Sequence, residues 1–253
     1  MKRPLTFALV VTVAATALAE LPAGWSTNFN ATLADAKTNH RPALVFFTAS
    51  WCGPCKMMVR TTLTNEAVIK ALGAFSHVAV DIDEQAPLAR VHEISAVPTF
   101  KLLTPEGDAV ATTSGFQSPE VFVSWLTNGG VEFTAAIARR KEAARKLAEV
   151  DALLEKADVA SVNVSVVTLF DLCAQRDAEV AQPALTKLAA LAQRQPAALL
   201  AGLEHPRLAA RIQAANLLRA RLGETFEADP WADAASRQKV AAQWREKLAE
   251  RKP

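Results

Sequence analysis

The feature that most constrains this chain is the hexapeptide Trp51-Cys52-Gly53-Pro54-Cys55-Lys56. Ala43-Leu44-Val45-Phe46-Phe47 ahead of it reads as a buried strand, and Lys56-Met57-Met58-Val59-Arg60 reads as the start of a helix. A strand that delivers Cys-x-x-Cys to a helix start sets the first sulfur beside free backbone N–H groups and the positive end of the helix dipole. A thiolate is favoured there. That thiolate is the nucleophile of thiol–disulfide exchange, and the second cysteine, one turn on, is placed to resolve the mixed disulfide. Pro54 falls in the first helical turn, where its missing N–H would have had no acceptor. Two other uses of the pair compete with redox work. Zinc wants four ligands, and the chain has no second Cys-x-x-Cys and no paired histidines. A structural disulfide would close a loop too short to stabilise much. The expectation is a redox pair, with no metal and no cofactor beyond the disulfide itself.

At these residues the chain resembles the thioredoxin family, whose active site carries the same Trp-Cys-Gly-Pro-Cys-Lys hexapeptide. Ala96-Val97-Pro98-Thr99-Phe100 resembles the family's second signature, a loop whose proline is cis and faces the cysteines. The turn Pro105–Asp108, the strand 109–114 closed by Gly115, and a helix start at Ser118-Pro119-Glu120 follow in the family's order. The resemblance covers residues 24–130 and implies an α/β thioredoxin fold, a central mixed sheet flanked by helices. It implies that Cys52 attacks, Cys55 resolves, and Pro98 keeps other groups off the sulfurs. The backbone of Val97 would pair with an extended substrate strand. Trp51 would offer a flat apolar wall beside the sulfur, with a place in the core as the competing reading. Gly53 and Pro54 complete the active-site loop, and Lys56 reads as a solvated helix charge. One position departs from the family. Phe46 stands six residues before Cys52, where the family has a buried acid that helps deprotonate the resolving cysteine. Asp81, on the adjacent strand, is a candidate substitute, against a plain exposed role at a strand end.

Residues 1–19 read as a secretory signal peptide. Lys2 and Arg3 precede an uncharged stretch from Leu5 to Leu18, and Ala17-Leu18-Ala19 gives a small-x-small cleavage site. The stretch is shorter than the ~20 residues of a spanning helix, so cleavage is expected. The mature protein should be soluble and periplasmic. Within the domain at 20–130, Phe29, Leu33 and Ala36 mark a helix. Asn65 caps another at 66–72, with Gly73 as its left-handed stop, and Gly129-Gly130 ends the last. His77 and His92 read as surface or satisfied core residues.

From Val131 strand signals vanish and alanine and leucine dominate, which predicts an all-α domain over 131–253 with HEAT-like helix pairs. Pro183, Pro196 and Pro206 each suit the first position of a helix. Leu208, Ile212, Ala215, Leu218 and Leu222 form an apolar stripe closed by Gly223. Cys173, beside Leu169 and Phe170, reads as a buried, inert thiol.

Gly-Pro between the cysteines is the dipeptide of the family's reducing members, with a potential near about −270 mV in thioredoxin. The resemblance therefore implies a cell-envelope oxidoreductase that reduces protein disulfides and draws electrons from a membrane thiol donor. A protein partner would occupy the helical domain. Two alternatives stay open. One is a disulfide oxidant or isomerase, because the export compartment favours disulfide formation and Phe46 removes the reductive acid. The other is a helical-repeat binding protein with a regulatory or vestigial pair. A net charge of +2 on 253 residues makes no case for nucleic acid.

Overall fold

A computed structural model describes residues 21, 23–156, 158–223 and 225–250; the expected signal peptide lies outside them. The chain divides into two compact units, Met1–Ala136 and Ile137–Pro253.

The first unit is built on four strands, β1 (Ala43–Thr48), β2 (Ser76–Asp81), β3 (Thr99–Leu103) and β4 (Ala109–Ser114), in the order β2-β1-β3-β4. β1 runs parallel to β2 and antiparallel to β3, and β4 pairs antiparallel with β3. All six residues of β1 are buried because helices cover both faces of the sheet. Leu44 and Phe46 enter one core with Met58, Leu63, Phe100 and Phe122. Val45 and Phe47 enter the other with Ala36, Val78, Val80 and Leu103. α1 (Phe29–Thr38) is capped by Asn28, whose side chain accepts the Ala31 N–H at 3.0 Å. α2 (Gly53–Met57) continues as a π-helical turn over Met58–Thr62, and α3 (Glu66–Leu72) and α4 (Ala86–Val91) follow.

Three glycines do not act as the sequence predicts. Gly73 ends α3 with a right-handed φ of −58°, not a left-handed one. Gly129 and Gly130 do not stop a helix: α5 runs unbroken over the 36 residues Pro119–Leu154. At Gly129 the reason is packing, since a Cβ there would lie 2.1 Å from the Leu102 Cδ1 of β3. The missing side chain lets the helix lie close to the sheet.

The second unit, among the described residues, contains helices and no strand. α6 (Val159–Cys173), α7 (Ala178–Arg194), a 3-10 helix (Pro196–Glu204), α8 (Leu208–Leu222) and α9 (Ala234–Glu250) enclose one core rich in Leu, Phe170, Phe226 and Trp244. α6 packs on α7, while the 3-10 helix touches α6, α7, α8 and α9. The predicted helix pairs are met unevenly: α6 and α7 are two full helices, while beside α8 the 3-10 segment stands in for a helix.

Proline placement also differs from expectation. Pro183 lies inside α7, because Asp177 caps the helix earlier by accepting the Glu179 N–H. Pro206 precedes Arg207, the N-cap of α8; only Pro196 heads its segment. α8 buries Ala210, Ala214, Ala215 and Leu218, so Ala215 and Leu218 of the predicted stripe are buried while Leu208 is exposed; the small residues admit the neighbouring 3-10 helix. Gly223, at φ 86°, ends α8 as expected. No helix among the described residues is long and apolar enough to cross a membrane.

Candidate active site

Three loops meet at one end of the sheet. β1 leaves at Thr48, which registers with Asp81 at the end of β2; Phe47 registers with Thr99 at the start of β3. The Cys52 turn, the Asp81–Asp83 loop and the Val97–Pro98 loop therefore lie side by side.

Cys52 sits at the N-cap of α2 in an extended conformation, its N–H held by the Ala49 carbonyl at 3.1 Å. Its carbonyl accepts the Lys56 N–H at 3.2 Å, and its Sγ accepts the Cys55 N–H at 3.1 Å. The first-turn N–H is thus aimed at the Cys52 sulfur, an arrangement that favours negative charge on that sulfur over the other. Cys52 and Cys55 are joined in a disulfide and are 2% and 1% exposed. Gly53 and Pro54 between them are exposed, and Lys56 is half-buried.

Trp51 is 65% exposed, which removes the reading that put it in the core. Its indole N–H donates to Asp83 Oδ2 at 2.8 Å, so the ring is tied down on the surface next to the pair. Asp81 is buried at 5% exposure, against the exposed alternative, and its Oδ1 accepts the Asp83 N–H at 2.9 Å. Asp81 shapes the loop and Asp83 holds the tryptophan. Asp83 was missed in the sequence; the acidic run Asp81-Ile82-Asp83-Glu84 directly after a strand was the available sign of such a loop.

The Val97–Pro98 peptide bond is cis, Pro98 is buried, and the Pro98 carbonyl accepts the Gly115 N–H at 2.8 Å. Thr99 Oγ1 donates to the Ala96 carbonyl at 2.8 Å and closes the loop. Among the described residues, the main chain of half-buried Val97 makes no hydrogen bond. Below the pair, Met58 Sδ accepts the Gln117 N–H and Thr62 Oγ1 donates to the Gln117 carbonyl at 2.6 Å, fixing the helix after the cysteines.

Where the family has its buried acid, Phe46 stacks on Phe100, ring centres 4.5 Å apart and planes 5° from parallel, with Trp25 edge-on at 6.0 Å. Phe46 itself offers no group that could take a proton. His77 and His92 are half-buried, and burial biases both towards the neutral ring. Cys173 is buried in the second unit, 8% exposed, its thiol pushed up to about 11 by burial and by Asp171. Among the described residues, no cluster of three or more His, Cys, Asp or Glu is placed to hold a metal ion.

Comparisons with known proteins fall on the same segment. The Thioredoxin family model matches residues 23–128. A thioredoxin H-type of Chlamydomonas reinhardtii is 42% identical over 74 residues, which is 28% of this chain and 62% of that protein. A thioredoxin H-type of Fagopyrum esculentum is 33% identical over 100 residues, 38% of this chain and 77% of that protein. Among solved structures, a thioredoxin from Thermus thermophilus matches at 27% identity and a TM-score of 0.42, over 45% of this chain and 92% of that one. The chain spans 62% and 59% of the lengths of two thioredoxin relatives, from Chlamydomonas reinhardtii and rice, and residues beyond 128 lie outside the family match.

Proposed function

The chain belongs to the thioredoxin family, and from that premise we propose that it is a thiol–disulfide oxidoreductase of the cell envelope that reduces protein disulfides through Cys52 and Cys55. The observation that carries this reading is the Cys55 N–H aimed at Cys52 Sγ, with exposed Gly53 and Pro54 between the two cysteines.

In the reducing direction the Cys52 thiolate attacks one sulfur of a client disulfide. A Cys52–client bond forms, the client S–S bond breaks, and one client thiolate leaves. The Cys55 thiol then loses its proton and attacks Cys52 Sγ, releasing the second client thiolate. The client gains two electrons and the pair ends oxidised, the state held in the structure. Two electrons from a membrane thiol donor restore it. With Phe46 in place of an acid, the Cys55 proton leaves to water or to the departing client thiolate. The free main chain of Val97 supports pairing with an extended client segment, and Trp51, tethered by Asp83, supports apolar contact beside the sulfur. Export rests on Lys2, Arg3 and the apolar run that follows. The reducing direction rests on Gly53-Pro54.

Insulin reduction in dithiothreitol tests the activity. The full chain should accelerate precipitation, Cys52→Ser should abolish the effect, and Cys55→Ser should accumulate a mixed disulfide. No acceleration by the wild type would sink the enzyme and favour a binding protein with a vestigial pair. Phe46 in place of an acid favours a second reading, a disulfide oxidant or isomerase. Faster reactivation of scrambled ribonuclease than of insulin reduction would support it.

A further inference from the structure

The second unit has a cavity of about 930 Å³ where the start of α6, the α7–3-10 junction and the ends of α8 and α9 come together. Its walls are aliphatic, with Val159, Val162, Pro196, Leu222 and Leu248 among them, and Val159 is left 78% exposed. Three arginines line it, Arg194, Arg221 and Arg245, and among the described residues no carboxylate does. Arg245 is paired with Glu204 at 2.7 Å, outside the lining. Among the described residues, Arg194 and Arg221 have no carboxylate partner. Each stands near a helix C-terminus, where a cation suits the dipole. That accounts for each arginine alone and leaves unexplained why all three converge on one apolar cavity.

We propose that this cavity binds an acidic segment of a partner protein, with leucine- or valine-like side chains against the aliphatic wall and carboxylates on Arg194 and Arg221. Guanidinium groups take carboxylates through paired hydrogen bonds, and an apolar wall beside them raises the strength of those bonds. The volume lies near the top of the ~300–1,000 Å³ range of ligand sites, enough for several side chains. Among the described residues no aromatic side chain lines the cavity, so none of them offers a base a ring to stack on. That the partner is a disulfide client rests on the proposed function; the binding itself does not.

The test uses the full chain and a fluorescein-labelled nonapeptide that alternates leucine with glutamate, followed by anisotropy. Saturable binding is expected, weakened about tenfold or more in Arg194→Gln/Arg221→Gln, which removes two charged contacts. Both positions are exposed, so the variant should keep the wild-type circular dichroism and melting curve. Raising salt from low to physiological strength should weaken binding, and the peptide with lysine for glutamate should not bind. Cys52→Ser should bind as the wild type does, which separates this site from the redox pair. Equal binding of the lysine peptide, or an unchanged double variant, would overturn the proposal. So would binding of dodecanoate without the peptide, which would assign the cavity to a lipid.

Discussion

Cys52 and Phe46 stand six residues apart and pull the chemistry in different directions. The first is served by a first-turn N–H, while the second puts a ring stacked on Phe100 where an acid would take a proton. Phe46→Ala should destabilise by about 3–5 kcal/mol, because a fully buried ring leaves a cavity; a urea midpoint within error of the wild type would contradict the stack. Cys173 gives a pH prediction. Its thiol titrates near 9.0 when unfolded and near about 11 when folded. Below the unfolded value both states keep the proton and its burial contributes fully. As pH rises through that interval the unfolded chain loses the proton first, so stability falls. A dithionitrobenzoate assay near about pH 8 should find no thiol in the folded, oxidised protein and one after denaturation; a rapid reaction in the folded state would contradict this. At this scale the cysteine pair was legible because its chemistry is written in adjacent residues, and the cis bond at Pro98 because its loop resembles the family's second signature. Asp83 was not, because its role depends on Trp51, 32 positions away.

Among the elements, β1 was legible to its ends, since an unbroken apolar run bounded by polar residues has few other uses. The Gly129-Gly130 stop was not, because two adjacent glycines disfavour helix locally and the sequence cannot show Leu102 across the gap. The structure makes them unequal. Gly129→Ala should destabilise by about 1–3 kcal/mol through overpacking on the fully buried Leu102. Gly130→Ala meets nothing within 4 Å and should stabilise by about 0.5–1 kcal/mol. Thermal melts of the two variants check the pair, and shifts of the same sign would contradict the packing role. Pro183 was misplaced for a related reason, as the Asp177 cap outweighs a proline that the following turn tolerates.

For the whole molecule, two units were legible from the change in composition near Val131. The cavity was not, because its arginines are scattered between positions 194 and 245 and converge only in the fold. Each unit has its own core, so damage to one should leave the other's chemistry in place. Gly202→Ala would put a Cβ 2.4 Å from the Phe170 ring and 2.6 Å from the Ala214 Cβ in the second unit. It should abolish binding of the acidic peptide and spare insulin reduction; loss of both together would contradict separate roles. Direction of electron flow belongs to this scale too, and the most direct test is the reduction potential of the Cys52–Cys55 pair, equilibrated against glutathione in the full chain. We expect a value near thioredoxin's, about −270 mV, as befits a reductase recharged by a membrane thiol donor. A value close to about −120 mV, that of a strong periplasmic oxidant, would contradict the reducing role and make the protein a source of disulfides.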